Sequence, residues 1–283
     1  MCEFCLKHGE GRRWYLEAAN YSEDLLSDVR RQRFIKSFVT DLDGLKRDTA
    51  RMEELDRLPG FLRALVRRWS GRRMRPYHFG QVVPIEEVAR IFELVNSVVR
   101  VSCICRQVTL GQEKRYCYGI SVGPNGGRFA EIITGLDGSF YAGPDRAGVE
   151  PVDKAEALAA MRELEHEGLC HTVWTFVTPF IAGLCNCDRA DCLALKASVG
   201  HRIPILFRAE YVASVDASAC TGCRQCLRLC PFGALAYSAG TGKTEVDVRQ
   251  CFGCGICRAE CAAEAIRLRD RRDVPAAARL WTA

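Results

Sequence analysis

Apolar positions recur at helical spacing through the first third of the chain. Tyr21-Ser22-Glu23-Asp24 reads as a helix start with Ser22 as cap, continued by Leu25, Leu26, Val29 and Ile35 to Phe38. A second helix is predicted over Phe61 to Trp69, ending before Gly71. Its apolar set, Phe61, Leu62, Leu65, Val66 and Trp69, forms one face that is expected to pack on a core. Arg63, Arg67 and Arg68 lie opposite, Arg72, Arg73 and Arg75 follow, and no acid falls between Arg57 and Ile85. This basic side reads as a solvated face; the alternative is a docking surface for an acidic partner or an anionic membrane. Pro84-Ile85-Glu86-Glu87 starts a helix running through Phe92 and Val95, and Pro151 to Glu167 is another, stopped by Gly168. Strands are predicted around Val98 to Ile104, Ala130 to Thr134 and His171 to Val177, with Gly123-Pro-Asn-Gly-Gly127 as a loop between two of them.

Helices and strands mixed in this way make an α+β protein of at least two domains. With 283 residues, 48% of them hydrophobic, the chain can bury a sizeable core and is not a disordered one. Composition divides it into a helical, basic region (1–80), a cysteine-rich mixed domain (81–210), a stretch with eight regularly spaced cysteines (211–270) and a tail (271–283). The first region holds 17 Lys/Arg against 12 Asp/Glu, which equals the excess of +5 for the whole chain. No apolar stretch reaches the roughly 18 to 20 residues that span a bilayer. The best, Thr172 to Cys185, is interrupted by Pro179. Met-Cys-Glu-Phe-Cys at the start has no positive segment leading into an apolar run, so a cytoplasmic protein is expected, with at most peripheral membrane contact.

The 17 cysteines change the picture. An odd number cannot all pair within one chain, and a reducing compartment keeps thiols free, so metal ligation is the economical explanation. The strongest pattern is Cys220-x2-Cys223-x2-Cys226-x3-Cys230-Pro231, followed by Cys251-x2-Cys254-x2-Cys257-x3-Cys261. Each cysteine of the second run lies 31 residues after its counterpart in the first. Two-residue spacers let one tight loop bring three thiolates to one face of an iron–sulfur cube. In this arrangement the remote fourth cysteine binds the other cluster. Cluster I then uses Cys220, Cys223, Cys226 and Cys261, and cluster II uses Cys251, Cys254, Cys257 and Cys230.

Residues 212–270 resemble a bacterial two-[4Fe–4S] ferredoxin domain. The flanking Thr221-Gly222, Pro231-Phe232-Gly233-Ala234-Leu235 and Ala265-Ile266 fit it, and Ala262 replaces the proline usual after the second run. Zinc would call for paired C-x2-C knuckles making four-cysteine sites. Each cluster carries about −2 in its oxidised form, so two bring the net charge to about +1 and remove any argument for nucleic acid. Gly240-Thr-Gly-Lys-Thr244 imitates the end of a P-loop, but Tyr237 stands where its first glycine belongs. A hairpin turn is expected there.

A second set comprises Cys103-x-Cys105, Cys117 and Cys185-x-Cys187-x4-Cys192. These six offer enough thiolates for a third metal centre, iron–sulfur favoured over zinc, against the alternative of buried free thiols. Cys2 and Cys5 could join this site or a subunit contact, and Cys170 is assigned to the core. Cys103-Ile-Cys105-Arg106, Cys117, Glu167-Gly168-Leu169, His171 and Leu184-Cys185-Asn186-Cys187, followed by the ferredoxin module, are similar to an uncharacterised class of 4Fe–4S binding proteins of anaerobes. That resemblance implies a redox role and no assigned substrate. His171 reads as a structural histidine, with iron ligation or proton transfer as the alternative. Arg106 either hydrogen-bonds a cluster sulfur or makes an ordinary ion pair.

No C-x3-C-x2-C triplet, strand-bound G-x-G-x-x-G, G-x-S-x-G or H-E-x-x-H occurs. Clusters without a substrate or organic-cofactor signature suggest an electron-transfer protein or subunit serving a redox partner. The alternatives are a reductase whose middle-domain centre is catalytic, and a redox sensor or scaffold.

Overall fold

The computed structural model describes residues 12–112, 114–136 and 149–282. Its centre is a seven-stranded sheet built from β1 (Gly80–Val83), β2 (Ser97–Val101), β3 (Cys117–Ser121), β4 (Val149–Val152), β5 (Cys170–Thr175), β6 (Ile181–Cys187) and β7 (Leu206–Phe207). The strand order is β4-β2-β3-β6-β5-β1-β7, antiparallel except for the β1–β7 pair. The helices are α1 (Val29–Thr40), α2 (Leu42–Leu55), α3 (Gly60–Met74), α4 (Ile85–Leu94), α5 (Ile104–Leu110), α6 (Gly127–Thr134) and α7 (Lys154–His166), of which α4 and α7 cover one face and α1 and α6 the other. The C-terminal module holds α8 (Gln225–Leu229), a hairpin of β9 (Leu235–Ser238) and β10 (Lys243–Val246), and a pair of β8 (Tyr211–Val215) with β11 (Ile266–Asp270).

Strand alternation sorts the sheet into two faces. On one, Val83, Val98, Tyr118, Ile120, Val173 and Leu184 pack with Val88 and Ile91 of α4 and Ala157 and Met161 of α7. Trp14, Tyr15 and Tyr21, carried on short 3₁₀ turns, complete this core and are all but fully buried. On the other face, Val99 packs with Ile35 and Val39 of α1 and Phe129, Ala130 and Ile133 of α6. Register places Cys117 beside Cys185, Cys185 beside Thr172 and Cys187 beside Cys170 on this second face.

Several local expectations are corrected. The helix expected from Ser22 is a 3₁₀ turn, Glu23–Ser27, and α1 starts afresh at Val29 because the Asp28 carboxylate caps the Arg30 amide at 2.8 Å. Residues 130–134 are helical, not extended. Phe129, Ala130 and Ile133 share one helical face, and the Glu23 carboxylate accepts the Arg128 amide at 3.0 Å in the first turn of α6. The same carboxylate accepts from Ser121 Oγ, so an acidic side chain fills the glycine-rich loop. The strand predicted to reach Ile104 stops at Val101, and Ile104 opens α5. Residues 149–152 are a strand, and α7 begins at Lys154 under the Asp153 cap.

The largest correction concerns α3. Gly71 does not stop it; a Cβ there would lie 2.5 Å from the Pro204 ring, so this glycine lets the helix lie close against the chain leading into β7. The apolar face expected to pack inward points outward: Phe61 is 70% exposed, Leu65 62% and Trp69 61%. By contrast, the turn around Gly240 joins β9 to β10 as expected. Residues 271–282 pack back on the fold through buried Arg271 and Ala277 and a bridge between Thr282 and Phe207. No helix among the described residues is long and apolar enough to cross a membrane.

Candidate iron–sulfur sites

The C-terminal loops gather the cysteines into two separate cavities. One, of about 440 Å³, is lined by Cys220, Cys223, Cys226 and Cys261 with Thr244 and Ala265. The other, of about 20 Å³, is lined by Cys230, Cys251, Cys254 and Cys257 with Phe232 and Phe252. Tight turns make this convergence feasible. Gly222 and Gly253 have φ near +72° and +73°, and a Cβ on Gly253 would fall 1.9 Å from the Tyr211 carbonyl oxygen.

Backbone amides point at the sulfurs. Ala234 N–H donates to Cys230 Sγ and Ala265 N–H to Cys261 Sγ, each at 3.3 Å, and Ala213 N–H donates to Cys251 Sγ at 3.4 Å. The first two are equivalent positions of the 31-residue repeat, so the duplication extends to hydrogen bonding. The cavities differ in depth. Cys223 is exposed, and the Thr244 backbone amide and nearby Lys243 hold the Cys220 thiol below its ordinary range. Cys254 and Cys257 are pushed up by burial.

Two arginines that nothing in the sequence singled out flank the deeper cavity. Arg208 Nη1 donates to the Cys251 carbonyl at 3.1 Å, and Arg271 Nη2 donates to the same oxygen at 3.0 Å. Arg271 also donates to the Ala209 and Tyr211 carbonyls, and Arg208 lies over the Phe252 ring. Both are buried, and among the described residues neither meets a carboxylate at salt-bridge distance. Burial lowers both pKa values, Arg271 to about 10, so both stay protonated at neutral pH. Buried cations with no carboxylate in direct contact fit a cysteine set that holds a negatively charged cluster.

The middle-domain cysteines converge as well. Cys117, Cys185 and Cys187 come from neighbouring strands, Cys103 precedes α5, Cys105 lies in its first turn, and Cys192 precedes the turn Leu193–Leu195. Their thiols touch in one string: Cys185, Cys117, Cys103, Cys105, Cys192, Cys187. The last pair is 3.0 Å apart. All six line one apolar cavity of about 100 Å³ that is also walled by Phe38, His78, Phe129, Trp174 and Phe176. Ser102 Oγ, buried without a hydrogen-bond partner, lines it too. Among the described residues no three His, Cys, Asp or Glu side chains are placed to hold a single metal ion, so the thiols are strung along the wall rather than gathered at a point.

Arg106 is buried beside this string, donating to Cys103 Sγ at 3.5 Å, to the Asn186 carbonyl at 3.3 Å and to Asp188, with Tyr116 under its guanidinium. The ion pair expected as one reading is thus present, with Asp188, and the same guanidinium also reaches a cysteine sulfur. Hydrogen bonds from Cys105 and Cys117, aided by Arg106, lower the Cys103 pKa. His171 lies on the opposite face of the sheet, donating through Nδ1 to Asn186 Oδ1 at 2.6 Å, while Asn186 Nδ2 donates to the Tyr116 carbonyl. It orients the residue between Cys185 and Cys187 without lining the cavity. Cys2 and Cys5 lie outside the described residues.

The two regions meet through Cys170. One apolar core contains Cys170, Cys187 and Cys192 together with Phe232, Phe252, Cys254 and Ile256, and Cys105, Cys185 and Cys230 pack against it. Ion pairs lock the same interface: Arg258 grips Glu86 at 2.7 and 3.0 Å, and His166 meets Glu260 at 2.7 Å.

Residues 213–262 match the family described as "4Fe-4S dicluster domain". Two curated proteins named "Archaeal-type glutamate synthase [NADPH]", from Thermotoga sp. (strain RQ2) and Thermotoga maritima, are each 35% identical over 60 residues. Those residues are 21% of this chain and 12% of each relative, so the chain spans about an eighth of their length. A 4Fe–4S ferredoxin-type domain thus occupies the C-terminal part of this α+β chain, and its general chemistry is iron–sulfur electron transfer.

Proposed function

We propose that the protein is an electron carrier or subunit with three iron–sulfur centres in series, serving an oxidoreductase. Cluster I is held by Cys220, Cys223, Cys226 and Cys261, and cluster II by Cys251, Cys254, Cys257 and Cys230. A third centre is held by thiolates drawn from Cys103, Cys105, Cys117, Cys185, Cys187 and Cys192. Such clusters, when bound, accept and release single electrons. The chain's own residues position and insulate them. Tight glycine turns bring the thiols together, amides and arginines offset thiolate charge, and apolar walls exclude water. The similarity to proteins named as NADPH glutamate synthases supports an oxidoreductase setting.

The observation that carries the reading is the single apolar core that brings Cys105, Cys185, Cys187 and Cys192 of the thiol string together with Cys230 and Cys254. Electrons reach the third centre through the sheet face that holds Cys170, with cluster I as the outer port beside exposed Cys223. A second reading, a reductase acting at the third centre, draws on the aromatic walls beside the thiols.

The test is iron, acid-labile sulfide and zinc per chain after anaerobic purification. Three cubes require about 12 iron and 12 sulfide, and Cys103→Ala with Cys117→Ala should lower both to about 8. About 8 iron in the unaltered protein, unchanged by those substitutions, would refute the third centre.

A further inference from the structure

The helix α3 is packed inside out. It docks through its polar and small residues: Arg63 donates to the Asp56 carbonyl at 3.1 Å, Arg67 pairs with the Asp56 carboxylate at 3.0 Å, and Gly71 lies against Pro204. Phe61, Leu65 and Trp69, spaced by four along the helix, face solvent. Leu58, Leu62, Met74 and Tyr77 extend the exposed apolar surface before, along and after the helix. Seven of the ten exposed large apolar side chains among the described residues thus fall within 58–77. A monomer gains nothing by exposing them together, and clustered apolar exposure marks a contact surface.

Charge identifies the occupant. Arg68, Arg72 and Arg73 are exposed along the same stretch, Arg73 lying over the Trp69 ring at 5.4 Å, and residues 58–85 contain no acid. The side chains project individually rather than framing a pocket. An anionic lipid surface accepts such projections without a matching cavity: Phe, Leu and Trp enter the headgroup boundary while arginines stay at the phosphates. We propose that α3 is a peripheral membrane-docking helix for anionic bilayers, independent of the cluster assignment.

The test uses the intact holoprotein and vesicles of phosphatidylcholine with or without phosphatidylglycerol, read by co-sedimentation and tryptophan emission. Trp14 and Trp174 are buried, so Trp69 reports binding best. Binding and a blue shift are expected only with the anionic vesicles and should weaken with salt. Each basic residue near such a surface is worth about fivefold, the equivalent of about 1 kcal/mol, so R68Q/R72Q/R73Q should weaken binding about a hundredfold. L65S should weaken it too, and W69F should abolish the spectral shift while retaining binding. No binding, or equal binding to neutral vesicles, would overturn the proposal. So would a protein-concentration-dependent blue shift without lipid, which would make a second copy the occupant.

Discussion

Arg208 and Arg271 offer the sharpest test of the proposed cluster II. Each places a buried cation on the Cys251 carbonyl, at 3.1 and 3.0 Å, and among the described residues neither meets a carboxylate at salt-bridge distance, Asp247 and Glu210 acting only from farther away. Reduction adds one negative charge to the cluster, so these cations should raise its potential. If such a charge lay about 7 Å from the added electron, it would be worth about 2.4 kcal/mol at an effective dielectric of about 20, or about 100 mV for one electron. Arg208→Met should therefore lower one cluster potential by about 100 mV, and Arg208→Lys should recover part of the shift. Arg271→Met should act in the same direction. Arg271 also ties down Ala209, Tyr211 and Leu280, however, so Arg208 is the cleaner probe. The assay is an anaerobic redox titration followed by electron paramagnetic resonance, with iron and sulfide measured on the same samples. A shift below about 20 mV in both Arg208 variants at full cluster content, against the ~100 mV worked from Coulomb's law, would show that these charges are screened and refute the reasoning.

Gly253→Ala should lose cluster II selectively, because the added Cβ would meet the Tyr211 carbonyl at 1.9 Å. Gly233→Ala, also at positive φ but in open space, should keep full iron and cost only about 1 kcal/mol in denaturant unfolding. The His166–Glu260 pair joins α7 to the second cysteine run, and Glu260 raises the His166 pKa above 6.5. Its small stabilisation is complete below 6.5 and fades as pH rises through that raised value. His166→Gln should therefore lower Tm slightly at pH 6 and leave it unchanged at pH 9; an equal loss at both would point to packing instead. Asn186→Ala removes the link between His171 and the Tyr116 carbonyl, and should perturb the spectrum of the third centre while leaving the ferredoxin clusters intact.

The two C-x2-C-x2-C-x3-C runs were legible because ligand spacing in a tight loop is a local property, and the 31-residue repeat made their equivalence visible. The hairpin at Gly240 and the helices α4 and α7 were legible for the same reason: capping and turn chemistry act over three or four residues. Short apolar runs were not. Ala130 to Thr134 suits a strand or a helix, and only contacts with Val99, α1 and Glu23 select the helix. The pattern of α3 identified its apolar face correctly, but a period cannot say whether that face meets a core or solvent. The sequence also supplied the six middle-domain cysteines, scattered over 90 positions, without the means to join them. Strand register joins them, placing Cys117 beside Cys185 and Cys187 beside Cys170, and so sets part of the string of thiols against Cys230 and Cys254. Arg208 and Arg271 look like any surface arginines until the fold buries them. Burial, register and adjacency are properties of the packed chain, because each depends on residues far apart in sequence that meet only when the sheet and its covering layers are assembled.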